Sequence, residues 1–304
     1  MSSKKLNFLQ RVALEIVWSM SWLVAILPHW FRYRVLAKAI YLLVYRVFKY
    51  RIGVVRENLS NAFPNRSYAE REVIARDFYT FLSEGVVSTI SLARRRPEKG
   101  TIISANGGKA YSDIGVFDTK GQNNIILTAH YGLWEYLSFA ADIYGRYAAG
   151  VYHKLQNPIF DALFLRLRMD RGVILLPIAE ASRFCVKHRD GVEGRPFSLG
   201  LIADQAPPRR TNAKWYTFLN QDTQFYDGGE KLALRLGMPV FFTYQKRLSA
   251  GRYQFFIEQI YDGVEPVVEG DITDVYVRKL ESIIEQAPHL WLWSHRRWKR
   301  KKID

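Results

Sequence analysis

Apolar residues fill the stretch from Val12 to Trp30 (VALEIVWSMSWLVAILPHW), interrupted only by Glu15 near one end and Pro28–His29 at the other. As a helix it would reach about 28 Å at about 1.5 Å per residue, which barely matches one hydrocarbon thickness. Trp18, Trp22 and Trp30 suit a helix that meets or lies in the headgroup zone. Lys4, Lys5 and Arg11 would also fit the basic leader of a signal peptide, but WFRYR follows in place of a small-x-small cleavage site, so the helix is expected to be retained as an anchor or monotopic element. A second apolar-periodic stretch, Tyr68 to Leu92, predicts a helix capped by Ser67 and stopped at Arg94-Arg95-Arg96-Pro97. Beyond Gly100 the texture changes. Short apolar runs at Ile125–Ala129, Val173–Pro177 and Leu199–Asp204 predict buried strands, with helical stretches to about Ile143 and over 179–190 between them. A helix at about Gly229–Leu236 precedes a hairpin of PVFFTYQKRL and YQFFIEQI, and a last helix runs from Thr273 to about Gln286.

This order predicts an α/β fold, a layered sheet flanked by helices, with N-terminal membrane-associating helices. No internal repeat and no Gly/Ser/Pro-rich linker divides it, so two regions are expected: residues 1–31 as anchor or monotopic helix, and 32–304 as a single domain with a basic helical entry segment. At 304 residues and 48% hydrophobic, with 14% aromatics, the chain can bury a large core, which excludes a disordered acidic tail or a collagen-like fibre. A single cysteine, Cys185, excludes a disulfide framework and Cys-cluster metal sites, and it is assigned no role.

The 44 Lys and Arg against 29 Asp and Glu leave a net charge of +15, which calls for an anionic partner. Much of it is concentrated. Arg32, Arg34, Lys38, Arg46, Lys49, Arg51 and Arg56 follow the apolar helix with no acid among them, interleaved with aliphatic and aromatic residues, as in a segment lying on anionic lipid. The tail WLWSHRRWKRKKID sets Arg296, Arg297, Lys299, Arg300, Lys301 and Lys302 among Trp291, Trp293 and Trp298, a mixture suited either to a lipid interface or to stacking on nucleic-acid bases.

The sharpest local chemistry is TAHYGLWEYLSFA, where His130 and Glu135 flank Tyr131-Gly132-Leu133-Trp134. Five residues apart on one helix they would point about 140° apart. They can meet if His130 leaves the strand end and Glu135 sits in the first turns of the next helix, a place where ligand sites of open α/β sheets gather. A carboxylate on one imidazole nitrogen fixes the tautomer, and the other nitrogen can then deprotonate an alcohol. Buried histidines at strand ends are more often merely hydrogen-bonded, so the pair needs support from the rest of the chain.

That support is a resemblance. With His130-x4-Glu135 in place, VYHKLQNPIFDAL (Val151–Leu163), GLIADQAP (Gly200–Pro207), TFLNQDTQFYDGGEKLALRLGMPVFF (Thr217–Phe242) and APHLWLWSHRRWK (Ala287–Lys299) stand in the order seen in bacterial lipid A late acyltransferases. The chain resembles that lysophospholipid-acyltransferase-like family over nearly its whole length. The resemblance implies a glycerol-3-phosphate-acyltransferase-like fold and transfer of a fatty acyl chain from acyl carrier protein, or coenzyme A, to a hydroxyl of a lipid A precursor at the cytoplasmic face of the inner membrane. His130 would be the general base and Glu135 its orienting partner. No metal or bound cofactor is implied, and the acyl thioester is a co-substrate. The partners implied are acyl carrier protein, the lipid A precursor and anionic membrane lipid, with no nucleic acid. Many members have an arginine after Val-Tyr, whereas this chain has His153, with Lys154 beside it, so a cation remains but not a bidentate clamp.

The other candidates have structural readings too. Asn157-Pro158 is a good helix start. Arg166 and Arg168, two apart, point to different helix faces, so at most one faces a cleft, and Arg166 is taken as the substrate contact. Asp204 and Gln205 follow an apolar strand and can orient a site or cap a helix. Asp227-Gly228-Gly229-Glu230 offers helix-terminal amides to an anion or simply caps a helix. Two other functions remain open: acylation of a different glycolipid or phospholipid, and a non-enzymatic basic protein that binds nucleic acid or anionic lipid.

Overall fold

A computed structural model describes residues 6–92, 102–104, 121–139, 146–152, 154–207, 213–300 and 302. The three apolar runs become parallel strands of one sheet, two of them side by side and the third separated from them by a strand at residues 147–152. The sheet is assembled from β1 (Ile102–Ser104), β2 (Asn124–Thr128), β3 (Tyr147–Tyr152), β4 (Ile174–Pro177), β5 (Phe197–Ile202), β8 (Val240–Ser249) and β9 (Arg252–Tyr261) in the order β1-β9-β8-β2-β5-β3-β4. A separate ribbon pairs β6 (Trp215–Phe218) with β7 (Gln221–Gln224). Every pairing in the main sheet is parallel except the β8–β9 hairpin, which is the one the sequence pattern predicts. β2 lies at the centre, buried at all five positions, as expected of a strand covered on both faces.

The N-terminal half supplies a helical layer. α1 (Phe8–Ile26) starts at a reciprocal cap, in which the Gln10 amide N–H donates to Asn7 Oδ1 and the Asn7 amide N–H to Gln10 Oε1. It buries Trp18, Ser21 and Ala25 against the domain while Phe8, Ile16, Met20, Trp22 and Ile26 stay exposed. Trp18 therefore sits inside the protein and not at the headgroup level expected for it; Trp22 and Trp30 remain exposed. α2 (residues 29–47) continues through π-helical turns, followed by α3 (Ile52–Ala62) and α4 (Tyr68–Leu92), whose start is capped by Ser67 as predicted, with Glu70 accepting the Ser67 amide in return. The arginine-rich stop expected after it lies outside the described residues. In the basic segment, Arg34, Lys38, Arg46, Lys49, Arg51 and Arg56 are exposed but Arg32 is buried. Glu84 of α4, itself buried, takes both Nε and Nη2 of Arg247 on β8, at 2.9 and 2.7 Å, and so ties the helical layer to the sheet.

The remaining helices are α5 (Pro158–Met169), α6 (Ile178–Lys187), α7 (Gly228–Leu236) and α8 (Asp271–Gln286). Glu230, on α7, is fully buried and accepts the amides of Gly270, Ile272 and Thr273, so it caps the start of α8. Within the Asp227–Glu230 segment, then, Glu230 caps another helix, while Asp227 makes no side-chain cap on α7 and pairs with Lys231 at 2.7 Å. The expected helix after His130 is a 3₁₀ turn, Trp134–Phe139, with residues 140–145 outside the described part.

The C-terminal tail corrects the surface reading. Trp293 is completely buried, Trp291 and Arg297 nearly so, and the Trp298 indole donates to Thr223 Oγ1 at 2.7 Å. Its alternating Trp291 and Trp293 enter the core, which leaves Arg296, Lys299 and Lys302 as the exposed cations among its described residues.

Candidate active site

Strand register builds the site. Thr128 of β2 lies opposite Ile202 of β5, and the Ala203 amide donates to the Thr128 carbonyl at 3.0 Å. Both strands end there, so His130 and Asp204, each two residues further on, leave the sheet side by side at the carboxyl ends of neighbouring parallel strands. That is the favoured position for a site in such a sheet. The turn behind His130 needs Gly132, which has φ +66°, and a Cβ there would lie 2.8 Å from Gln245 Oε1. The Gln245 side chain instead closes on the turn: its Oε1 accepts the Leu133 amide at 2.7 Å and its Nε2 donates to the Leu133 carbonyl at 3.0 Å.

His130 Nδ1 is 2.7 Å from Asp204 Oδ1, and the His130 amide donates to Asp204 Oδ2 at 3.0 Å. The Trp291 indole donates to the same Oδ2 at 2.9 Å. Burial works against a charge on Asp204, but the neighbouring His130 and the hydrogen bonds from His130 and Trp291 outweigh it and hold its carboxyl below the usual carboxylate range. A charged carboxylate fixes the proton of neutral His130 on Nδ1 and leaves the lone pair on Nε2. The His130 side chain keeps 17% exposure, with the Trp134 ring edge-on at 5.0 Å and the Gln205 amide nitrogen 3.3 Å from Nε2.

Glu135 is elsewhere than expected. It lies in the first turn of Trp134–Phe139, 5% exposed, and its carboxylate takes Arg168 Nη2 at 2.6 Å and Nε at 3.2 Å. The orienting partner of His130 is therefore Asp204, because β5 delivers it in register, while Glu135 is committed to a buried guanidinium. Burial opposes the charge of Arg168, but Glu135 overcomes it and keeps the group protonated.

The other candidates separate in the same way. Arg166 turns away to α1, where Nη1 meets Glu15 Oε1 at 2.8 Å and the guanidinium lies 4.2 Å from the Trp18 ring centre. Arg166 thus makes a helix-docking contact where a substrate contact was expected, and Arg168, two residues on, is the arginine joined through Glu135 to the turn that follows His130. Asn157 caps α5, with Oδ1 accepting the amides of Ile159 and Phe160, so its role is structural. Lys154 is exposed on the segment after β3, and His153 lies outside the described residues. Gln205 and Asp204 both border the imidazole.

Two more groups surround Asp204 from the tail. Burial pushes His295 down to about 4, so it is neutral near pH 7, and Arg297, lowered to about 10 by burial, remains a cation. Among the described residues no three His, Cys, Asp or Glu side chains gather as a metal site would require. Sequence reasoning missed Trp291 and the Glu135–Arg168 pair. The Trp-Leu-Trp alternation of the tail is a period-2 signal for a buried extended segment and could have flagged Trp291.

The model of the family described as "Bacterial lipid A biosynthesis acyltransferase" matches residues 2–300. Among solved structures, the crystal structure of the 1-acyl-sn-glycerophosphate (LPA) acyltransferase PlsC from Thermotoga maritima aligns with a TM-score of 0.38 and 12% identity, over 93% of this chain and 99% of that one. No curated protein matches the chain.

Proposed function

The chain belongs to the bacterial lipid A biosynthesis acyltransferase family and is an acyltransferase; from that premise we propose that it moves a fatty acyl chain from an acyl carrier protein or coenzyme A thioester to a hydroxyl of a lipid A precursor, with His130 as general base. The observation that carries this reading is the fixed Nδ1 of His130, 2.7 Å from a buried Asp204 at the end of the central strands, with the ring still partly exposed.

In the proposed reaction His130 Nε2 takes the proton of the acceptor hydroxyl as its oxygen attacks the thioester carbonyl carbon. Asp204 stabilises the imidazolium that forms. The carbonyl oxygen becomes an oxyanion, and Arg168, held by Glu135 on the turn that follows His130, is the cation this site offers to it. Collapse of the tetrahedral species breaks the C–S bond, and the proton on Nε2 passes to the departing thiolate, which leaves an ester and a free thiol.

Membrane attachment completes the proposal. The exposed apolar face of α1 and the exposed cations of α2 adjoin one another in the chain, an arrangement suited to the cytoplasmic face of an inner membrane with anionic lipid. Because α1 buries Trp18, Ser21 and Ala25 against the domain and engages Arg166 through Glu15, it fits a helix lying along the leaflet better than one projecting across it. The surplus of positive charge also suits an acidic carrier protein. The nucleic-acid reading loses its main support, since Trp291 and Trp293 are buried and cannot stack on bases. Lipid mass spectrometry of cells with and without the protein tests the proposal: a change of one acyl chain on lipid A precursors supports it, and unchanged lipid A with a different acylated lipid would replace the acceptor.

A further inference from the structure

The carboxylate that orients His130 is itself held from the far end of the chain. Residues 290–292 lie antiparallel to 130–132, with Tyr131 bridged to Trp291, the Gly132 amide donating to the Leu290 carbonyl at 2.9 Å and the Leu292 amide to the His130 carbonyl at 3.0 Å. The tail is anchored beyond this point as well. Asn58 Nδ2 donates to the carbonyls of Trp293 and His295 at 2.8 and 2.9 Å, and Arg51 Nη1 to that of Ser294 at 3.0 Å. These bonds place the Trp291 indole N–H 2.9 Å from the Asp204 oxygen that the imidazole ring does not use.

We infer that Trp291 is a positioning residue for acyl transfer: its N–H locks the rotation of Asp204 and limits the basicity of the carboxylate facing His130. The inference rests on the reading of His130 as the base. Packing alone would explain a buried tryptophan here, since the Trp291 ring also meets Phe218, Trp293 and Trp298. The polar contact adds something packing does not require: Oδ2 receives two donors, and Oδ1 is left for Nδ1 of His130. An oxygen with two donors is a weaker acceptor for further charge, and the side chain cannot turn without breaking both bonds. The groups facing Asp204 are His130 and Trp291, Tyr276 from α8, and His295 and Arg297 from the tail. Tyr276 and His295 are held neutral by burial, so Arg297 is the constant cation among them.

The test is steady-state acyl transfer by the full-length protein in detergent or liposomes across pH, for wild type, Trp291→Phe, His130→Gln and a protein with benzothienylalanine in place of Trp291. The last keeps the shape of the indole and removes only the N–H, so it remains informative if Trp291→Phe folds poorly. With one donor gone, Asp204 holds the Nδ1 proton more strongly. The acid limb of kcat/KM is therefore expected to move up by about half to one pH unit, with kcat down about 10-fold to 100-fold and KM for the lipid nearly unchanged. Loss of activity by the same factor at every pH, with the acid limb fixed, would show Trp291 to be packing only and overturn the inference. So would wild-type kcat and pH profile in the benzothienylalanine protein. If His130→Gln is fully active, the base itself is misassigned, an outcome distinct from either of these.

Discussion

Replacing Asp204 by asparagine keeps the shape of the side chain and removes its charge. The wild-type carboxylate accepts three hydrogen bonds, one from His130 Nδ1 at 2.7 Å and two on Oδ2 at 3.0 and 2.9 Å. Asparagine offers one oxygen and one NH₂. If its oxygen faces Nδ1, the NH₂ confronts the His130 amide and the Trp291 indole, donor against donor. If it turns, the NH₂ faces Nδ1 and forces the proton onto Nε2, which can then no longer accept one. In the first arrangement two buried donors go unmet at about 1–3 kcal/mol each, so stability falls by roughly 2–6 kcal/mol. In the second the base is in the wrong tautomer, which in other His–carboxylate sites lowers turnover by about 10³–10⁴-fold, or roughly 4–5.5 kcal/mol of barrier. A thermal melt reads the first effect. Transfer of labelled acyl chain from a thioester donor to a hydroxylated lipid A precursor reads the second. Asp204→Asn retaining turnover within about tenfold of wild type while Glu135→Gln loses it would refute the reasoning, because Glu135 would then be the partner of His130 during turnover.

Other expectations follow from the same geometry. Arg168→Lys keeps a cation but loses the forked contact with Glu135, so kcat is expected to fall about 10-fold to 100-fold with little change in KM, as measured by initial rates at saturating donor. His295 is held neutral by burial, with its folded value near 4 against an ordinary 6.5. Below about 6.5 the unfolded chain takes up the proton first, so stability declines as pH falls toward 4, and His295→Gln should flatten that part of the melting-temperature profile. An unchanged slope in the variant would show that the decline has another source.

Much of the fold was legible because it depends on local pattern. The α4 boundaries, its Ser67 cap and the β8–β9 hairpin follow from periodicity and turn chemistry. In the site, His130, Asp204 and Gln205 were legible as members, but the pairing of His130 with Asp204 in place of Glu135 was not. His130 stands at the end of an apolar run, but its partner depends on β5 lying beside β2 in a register that sets Ile202 opposite Thr128, and no local spacing encodes that. The choice between Arg166 and Arg168 was similarly hidden. Both arginines stand in the last turn of α5 and look alike in sequence, and only the packing of α1 draws Arg166 to Glu15 and leaves Arg168 for Glu135. The tail misled for a different reason. Its cations gave it a surface composition, while Trp291 and Trp293 carry it into the core, so a strongly basic segment turned out to support the site from within.

The central claim is that His130 removes the acceptor proton, and a single-turnover measurement on the purified His130→Gln protein tests it most directly. With an acyl thioester donor and a lipid A precursor, followed by mass spectrometry of the lipid, the variant should still bind liposomes and melt as a folded protein but give no acylated product above the uncatalysed background. Acylated lipid formed at the wild-type rate would contradict the account.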